Sequence, residues 1–332
     1  MSHTNRSSVR LQWLALSIGL LLMAGKFYAW WTTNSNAILT DALESIINVV
    51  AGGFALYSLL LAFKPRDLNH PYGHGKIEFL SAGFEGGLIF LAGISIIGKS
   101  CYNLLYPQQL GSLDLGMLVT ALAGGVNFVL GWVLERRGKQ FGSLILIADG
   151  RHLKSDAYSS AGLLVGLFLL RLTGIQWIDN ATALLFGALI LYTGYRLLRT
   201  SVAGIMDEAD YQLVKSITQH LDQHRSANWV DLHNFRVIKY GSALHIDCHL
   251  TVPWYLEVKE AHNETKSMEK QVAHSCSTPV EVFVHTDPCA PPSSCTVCLK
   301  TDCPVRQADF IRRVSWSLEN VLSNDKHSVG RL

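Results

Sequence analysis

Hydrophobic residues form long blocks between Leu11 and Leu198, whereas polar and apolar residues alternate in short runs from Asp207 onward. A bilayer core about 30 Å thick needs about 20 apolar residues per helix, and six blocks reach that length. The predicted membrane helices are Leu11–Trp31, Ala37–Phe63, Phe79–Leu105, Leu113–Leu134, Leu144–Leu172 and Ile178–Leu198. The first block follows two arginines, as a signal peptide does, but it is long, lacks a small-residue cleavage site and precedes further spans. We therefore interpret it as a membrane helix.

The region after Asp207 has the periodicity of a small mixed domain. Its predicted elements are a helix at Tyr211–His224, strands at Val230–Lys239 and Ala243–Val252 joined by a turn at Gly241 and Ser242, a helix at Glu257–Ser275 and a strand at Val280–His285. This αββαβ order predicts a two-layer α/β domain. The expected organisation is a six-helix transmembrane domain at residues 1–206, an α+β domain at residues 207–288 and a cysteine-containing tail at residues 289–332.

The composition supports a membrane protein. Hydrophobic residues make up 49% of the 332 residues and charged residues only 16%, against about 25% charged in ordinary soluble domains. This composition excludes a single soluble domain, a disordered chain and a secreted disulfide scaffold. The net charge of +2 and the lack of a Lys/Arg-rich run exclude nucleic acid as a partner.

Basic residues flank the predicted helices on one side only. They are Arg6, Arg10, Lys64, Arg66, Lys76, Arg136, Arg137, Lys139, Arg196 and Arg199, whereas the opposite connections carry no Lys or Arg. The positive-inside rule therefore places both termini in the cytoplasm, across the inner or plasma membrane if the source is bacterial.

Two predicted helices carry polar residues at the same offsets, i, i+3 and i+7. These are Asp41, Glu44 and Asn48 in the second helix, and Asp149, His152 and Asp156 in the fifth. Ionisable residues are costly at membrane depth and usually serve ion pathways. If the two faces meet, Glu44, Asn48, His152 and Asp156 form a four-ligand N/O site suited to zinc and neighbouring metals. The alternative is that these groups only form hydrogen bonds between helices.

The connection between the second and third helices reads DLNHPYGHGKIE. Asp67, His70 and His74 have the spacing of an exposed metal-binding loop, with Pro71 and Gly73 favouring tight turns. The alternative is that these loop side chains are simply solvated.

Potential ligands are also dense in the C-terminal region. The spacing of these residues along the chain does not reveal which of them converge. They are His233, His245, Asp247, His249, His262, His274, His285 and Asp287. Four of the seven cysteines, Cys289, Cys295, Cys298 and Cys303, lie within the stretch DPCAPPSSCTVCLKTDC. In a reducing cytoplasm this pattern favours a thiolate site for zinc or a softer ion over disulfides, with reduced free thiols as the alternative.

Four segments together resemble the cation diffusion facilitators, a family that exports divalent metal ions in exchange for protons. They are SNAILTDALES in the second helix, HPYGHGKIE after it, DGRHLKSD in the fifth helix and VFVHTDPC in the last strand. The resemblance implies six transmembrane helices, a cytoplasmic ferredoxin-like domain and a homodimer that alternates between inward-open and outward-open states.

The resemblance also implies roles for individual residues. It assigns the transport site to Glu44, Asn48, His152 and Asp156, a loop site to Asp67, His70 and His74, cytoplasmic metal sites to His233, His249, His262, His285 and Asp287, and a salt bridge to Lys76 and Asp207. Familiar zinc and iron members have two Asp, or His with Asp, in the second-helix pair, whereas this chain has Glu and Asn. The cysteine tail lies outside the resemblance.

The expected function is therefore export of a divalent transition metal from the cytoplasm in exchange for protons. Zinc is the first expectation, followed by cobalt, iron, nickel and cadmium, and no organic cofactor is expected. The expected partners are metal ions, protons, the lipid bilayer and a second copy of the chain. The alternative is a membrane-anchored metal sensor or buffer that uses the His/Cys cluster. An intramembrane metalloenzyme is disfavoured because the chain has no His-Glu-x-x-His pattern to supply a general base.

Overall fold

A computed structural model describes residues 3–33, 36–106, 114–173, 177–241, 243–276 and 278–328. The chain divides into two compact units, Met1–Met206 and Asp207–Leu332, here called the N-terminal unit and the C-terminal unit. The predicted turn residue Ser242 lies outside the described residues. The side chains of Asp41 and Glu44 also lie outside what the structure describes.

The described part of the N-terminal unit consists of long helices that correspond to the six predicted spans. They are α1 (His3–Thr33), α2 (Asn36–Ala62), α3 (Ile77–Leu105), α4 (Asp114–Phe141), α5 (Leu144–Thr173) and α6 (Trp177–Ile205). Helices α4 and α6 each continue seven residues beyond their predicted ends at Leu134 and Leu198, and α1 begins eight residues before its predicted start at Leu11, because the polar flanks of these spans keep a helical backbone. The predicted first residue of this span, Leu113, lies outside the described residues.

The helices differ in how apolar they are. Within the described residues, four segments are long and apolar enough to cross a membrane: Arg6–Tyr28, Ser45–Ala62, Ile77–Leu105 and Asn180–Ile205. Helix α5 falls short of this level because Asp149, Arg151, Lys154 and Asp156 occur within eight consecutive positions. Helix α4 carries Glu135 and two arginines near its C-terminal end. Helices α4 and α5 thus carry more charged residues than the other long helices.

Glycines allow two helix pairs to approach closely. A Cβ at Gly194 of α6 would lie 2.5 Å from the backbone nitrogen of Phe90 in α3, and one at Gly93 would lie 2.7 Å from the nitrogen of Leu191. In the second pair, a Cβ at Gly150 of α5 would lie 2.6 Å from the nitrogen of Glu135 in α4. Small residues at such contacts let membrane helices pack backbone to backbone. We conclude that α3 and α6 form one tight pair, and α4 and α5 another.

A buried carboxylate fixes the start of α5. Glu78, at the beginning of α3, accepts hydrogen bonds from the backbone N–H of Leu144 (2.7 Å) and the hydroxyl of Ser143 (3.2 Å). The first N–H groups of a helix have no partner within the helix, and an acidic group there also favours the helix dipole. The glutamate that ends the HPYGHGKIE segment therefore anchors the helix that carries His152 and Asp156.

The described elements of the C-terminal unit lie close to the predicted ones. They are α7 (Tyr211–Gln223), β1 (Asp231–Tyr240), β2 (Ala243–Val252), α8 (Val258–Ser275), β3 (Val280–Pro288) and a short α9 (Leu318–Val321). Strand β3 extends three residues beyond its predicted end at His285. Gly241 has a φ of 60°, a left-handed conformation that glycine adopts without strain at the turn between β1 and β2.

The three strands form one sheet in the order β1-β2-β3, with β1 and β2 antiparallel and β2 and β3 parallel. Apolar residues alternate along the strands and turn one face of the sheet toward α7 and α8. The shared core includes Val214, Ile217 and Leu221 of α7, Met268 and Val272 of α8, and Phe235, Ile246 and Leu250 of the sheet. The polar positions of the strands therefore lie together on the opposite face.

Residues 289–328, here called the C-terminal segment, are integrated into this unit. Trp316 and Val321 belong to the same core, and the ring of Trp316 stacks on that of Trp229 with centroids 6.5 Å apart. The Arg225 guanidinium lies 4.3 Å from the Trp316 ring and donates to the carbonyl of Val314 (2.9 Å). The segment thus contributes apolar core as well as surface.

Candidate metal centres

Side chains from α2 and α5 meet within the helix bundle. Asn48 donates from Nδ2 to Oδ2 of Asp156 (2.6 Å), and its Oδ1 lies 3.1 Å from Nε2 of His152. His152 Nε2 and Asp156 Oδ2 are 3.9 Å apart. We call these three residues the helix cluster. The structure therefore brings together three of the four predicted ligands, and the side chain of the fourth, Glu44, is outside the described residues.

The chemistry of the helix cluster suits a divalent metal. His152 is buried, and its Nδ1 has no hydrogen-bond partner among the described residues. The cluster offers an imidazole nitrogen, an amide oxygen and a carboxylate, which are ligands for zinc and its neighbours. The Asn48 amide and the His152 ring both lie against the Asp156 carboxylate.

Groups around the helix cluster fix α5 from two sides. Asp149 is buried and accepts a hydrogen bond from Nε2 of Gln12 on α1 (2.6 Å). On the other side, Glu135 of α4 lies 3.0 Å from the Lys154 ammonium and 3.6 Å from Nε of Arg151. Sequence reasoning missed Gln12 and Glu135, because these contacts are made to α5 and spacing along α1 or α4 does not reveal a partner on another helix.

The loop between α2 and α3 forms a second cluster, the loop cluster. Oδ1 of Asp67 lies 3.0 Å from Nδ1 of His70, and Oδ2 lies 3.5 Å from Nε2 of His74. The two imidazole rings have centroids 4.3 Å apart. Gly73 makes the return turn with a φ of 90°, and its N–H donates to the His70 carbonyl. One ligand atom from each of the three residues lies within 4.8 Å of the others.

The carboxylate of the loop cluster is held in its ionised form. Hydrogen bonds from Lys64 and then His70 keep the pKa of Asp67 well below its ordinary value. The Lys64 ammonium lies 2.9 Å from Oδ2 of Asp67. A metal ion at this site would find a deprotonated carboxylate already in place, as metal binding requires.

Strand register explains a third cluster, in the C-terminal unit. His233 of β1 pairs with His249 of β2, and His249 pairs with His285 of β3, so three histidines form one row across the sheet. Asp287 lies two residues after His285 and therefore shares its face. We call these four residues the strand cluster.

Asp287 lies at the centre of the strand cluster. Its Oδ2 is 3.2 Å from Nδ1 of His249 and 3.3 Å from Nε2 of His233, and its Oδ1 is 3.5 Å from Nε2 of His285. The ligand atoms of His233, His249 and Asp287 lie within 4.8 Å of one another. The remaining predicted ligand, His262, is exposed on α8 and is not part of the described contacts of this cluster.

Two groups that the sequence did not identify surround the strand cluster. Asp231 lies 3.2 Å from Nδ1 of His233, and it also accepts hydrogen bonds from the ring and the backbone N–H of His327. The Lys326 ammonium lies 3.8 Å from Oδ2 of Asp287 and donates to the Pro288 carbonyl (3.1 Å). Asp231 is two positions before His233 on one strand, a spacing that could have identified it. His327 gives no such signal.

The four tail cysteines line one small cavity of about 10 Å³ near the start of the C-terminal segment. They are free thiols, and Cys295 and Cys298 are buried. Among the described residues, the loop cluster and the strand cluster each have three ligand atoms within 4.8 Å of one another. The four thiols do not form such a group. The predicted salt-bridge partners Lys76 and Asp207 belong to different units, so their pairing stays a prediction.

Two family comparisons cover most of the chain. Residues 12–206 match the cation efflux transmembrane domain, and residues 207–289 match the cytoplasmic domain of cation efflux proteins. An uncharacterised transporter of Synechocystis is 34% identical over 286 residues, which is 85% of this chain and 90% of that protein. Metal tolerance protein 2 of rice is 30% identical over 84% of this chain and 78% of its own. The cation-efflux pump FieF of Pectobacterium carotovorum is 28% identical over 82% of this chain and 90% of its own.

Proposed function

Because this chain belongs to the cation diffusion facilitator family of integral membrane proteins that carry out metal cation efflux, we propose that it exports a divalent transition metal from the cytoplasm in exchange for protons. The observation that carries the proposal is the helix cluster, in which Asn48 lies against both His152 and Asp156. Metal ligands on two membrane helices suit a transport site. When one helix moves relative to the other, the ligands separate and the site opens.

The proposed exchange follows from competition at shared atoms. The metal ion binds Glu44, Asn48, His152 and Asp156, and these ligands must lose their protons to bind it. Histidine exchanges protons near neutral pH more readily than other side chains, so His152 is the natural proton carrier. When the helices move to an outward-facing arrangement, protons return to His152 and to the carboxylates, and the metal ion leaves.

Zinc is the first proposed substrate. With a neutral His152, the carboxylates of Glu44 and Asp156 supply about two negative charges, which balance a divalent ion. A mixed N/O set of four ligands suits tetrahedral zinc. Affinity order alone does not select among divalent metals, so cobalt, iron, nickel and cadmium are tested beside zinc.

The remaining clusters have proposed supporting roles. We assign the loop cluster and the strand cluster to metal ions that regulate transport, with His262 as a further ligand of the cytoplasmic site. The polar face of the sheet is the proposed contact between two copies of the chain, and the match to the cytoplasmic dimerisation domain supports this. The proposal also includes cytoplasmic termini and the salt bridge between Lys76 and Asp207.

Metal flux into proteoliposomes under a proton gradient tests the transport proposal. We expect gradient-driven zinc uptake that Asp156→Ala abolishes, because a carboxylate ligand is lost. Asp309→Asn, at an exposed carboxylate of the C-terminal unit, is the control and keeps wild-type flux. Wild-type flux in Asp156→Ala would refute the site assignment. Metal binding without flux of any metal would favour the sensor or buffer instead.

A further inference from the structure

The cysteines of the C-terminal segment have no place in the proposed transport cycle. Cys289 directly follows β3, and Cys295, Cys298 and Cys303 follow it within 15 positions. All four line the same cavity, together with Trp254 and Arg306. Its volume of about 10 Å³ is close to the space that one water-sized particle occupies. Four soft ligands thus line one small cavity.

The backbone of residues 289–303, here called the thiol segment, is held in a defined shape. The guanidinium of Arg306 donates to the carbonyls of Cys295 (2.9 Å), Cys298 (3.1 Å) and Lys300 (2.7 Å). At its start, the N–H of Cys289 donates to the Val252 carbonyl (2.8 Å), which ties the segment to the end of β2. One side chain therefore organises the loop that carries two of the buried thiols.

The thiol segment needs a further source of stability. Four side chains of the thiol segment are buried among the described residues. One of them, Val297, is a large aliphatic residue, and the others are Ser294, Cys295 and Cys298. Short segments without an apolar core are commonly held by disulfides or by a structural metal. The structure contains free thiols at the four cysteine positions, and four thiolates are a ligand set of structural zinc sites.

The charges around the cavity suit a centre built from thiolates. A zinc ion with four thiolates has a net charge of −2. Arg306 and Lys300 line the cavity, and the Lys300 ammonium also lies 3.3 Å from a carboxylate oxygen of Asp302, so two basic groups and one acidic group lie beside the site. Binding would release the thiol protons.

We propose that Cys289, Cys295, Cys298 and Cys303 bind one zinc ion as a closed tetrathiolate site that stabilises the C-terminal segment. Binding would require the four sulfur atoms to reach a Zn–S distance of about 2.3 Å, closer than the described thiols lie, since they are not among the groups with three ligand atoms within 4.8 Å. The site is structural, because four protein ligands leave no position for water or substrate. It is separate from the helix, loop and strand clusters, and it does not depend on the chain being a transporter.

Metal analysis of the purified full-length protein tests the proposal. In the wild-type protein we expect one equivalent of zinc per chain to remain bound after mild chelation. The same amount should remain in His249→Ala, a variant that removes a ligand of the strand cluster. Cys298→Ser should lose that equivalent. Cys276→Ser, at a half-buried thiol that does not line the cavity, is the matched control and should keep it.

A spectroscopic measurement on the wild-type protein does not depend on the folding of variants. Replacing zinc with Co²⁺ should produce strong thiolate-to-cobalt charge-transfer absorption in the near ultraviolet, and this band should be absent from Cys298→Ser. Absence of the band in wild-type protein with a full set of reactive thiols would overturn the proposal. A disulfide between two of the four cysteines, or an iron–sulfur chromophore, would also overturn it.

Discussion

Asp287 is the residue on which the strand cluster depends. Its two oxygens face three imidazoles, and the Lys326 ammonium lies 3.8 Å from one of them. A metal ion bound by His233, His249 and Asp287 would meet this positive charge at the edge of its site. We therefore expect Lys326 to compete with metal for the same carboxylate.

Replacing Lys326 with Ala should strengthen zinc binding at the strand cluster by a factor of about two to five. This is the size expected for a half-exposed charge interaction of about 0.5–1 kcal/mol. The measurement is competition with a zinc-binding dye, in an Asp156→Ala background that weakens the helix cluster. Lys266→Ala, which removes an ammonium paired with Glu269 on α8, is the control. Unchanged or weaker binding in Lys326→Ala would contradict the competition.

The residues of the sites were predictable where a periodic pattern exists. His152 and Asp156 are four apart on a helix, and His285 and Asp287 are two apart on a strand, so each pair shares a face. The contact between Asp231 and His327 spans 96 positions and has no local pattern. Glu78 was noted only as part of a motif, because its role in capping α5 depends on how the chain folds back.

At the scale of elements, α7 begins where a charged cap is available. Asp210 accepts a hydrogen bond from the N–H of Leu213 (3.1 Å) and lies 2.5 Å from the Lys239 ammonium of β1. Burial alone would raise the pKa of Asp210, but the hydrogen bonds from Lys239 and Leu213 lower it below its ordinary value of 3.8. The cap therefore links a helix to the neighbouring strand.

Asp210→Ala should destabilise α7 by about 1 kcal/mol at pH 7, the typical cost of losing an N-cap. Asp210→Asn keeps an acceptor and should lose less. Because the pKa of Asp210 is lower in the folded than in the unfolded protein, its ionised carboxylate stabilises the folded state at pH values above the unfolded pKa. This stabilisation is lost as the pH falls through the folded pKa. The difference between wild type and Asp210→Asn should therefore shrink below about pH 4. Hydrogen exchange of the α7 amides measures both effects, and a difference that grows on acidification would contradict them.

The contact between α3 and α6 offers a test in the membrane helices. Gly194→Ala places a Cβ 2.5 Å from the backbone nitrogen of Phe90, so the two helices must separate. Overpacking of this kind costs about 1–3 kcal/mol, and we expect a lower thermal midpoint in detergent. Gly87→Ala, at a position of α3 where a Cβ meets nothing within 4 Å, is the matched control. Equal midpoints for the two variants would refute the close packing.

Elements were easier to predict than their partners. The strands of the C-terminal unit lie within three residues of their predicted ends, because alternation of apolar and polar residues marks them clearly. Helix α4 was predicted too short, because its C-terminal end is polar and a hydropathy argument stops at Leu134. The glycine contacts also escaped prediction, because spacing along one helix does not reveal which neighbour it packs against.

At the scale of the whole molecule, candidate metal ligands occur in both units. The helix and loop clusters lie in the N-terminal unit and the strand cluster lies in the C-terminal unit. If metal binding in one unit favours a transport-competent state of the other, the two sites share a coupling free energy, and the coupling is reciprocal for binding. Regulation of transport by the strand cluster is therefore measurable as a shift in metal dependence.

His249→Ala should raise the zinc concentration for half-maximal flux by about fivefold or more, the lower end of typical allosteric couplings. The maximal flux should be retained, because the helix cluster is intact. His274→Ala, at an exposed histidine whose ring contacts the Lys270 carbonyl of its own helix, is the control. An unchanged concentration dependence in His249→Ala would show that the strand cluster has no influence on transport.

The position of the C-terminal segment also matters during biosynthesis. Asp287, the last residue of the strand cluster to be synthesised, precedes Lys326 by 39 residues, and His233 precedes it by 93. At about 5–20 residues per second, translation of the shorter stretch takes about 2–8 seconds. A metal ion that binds the proposed strand site in this interval would meet its imidazoles and carboxylate before Lys326 has been added. The order of synthesis therefore separates this site in time from the ammonium that we expect to compete with metal there.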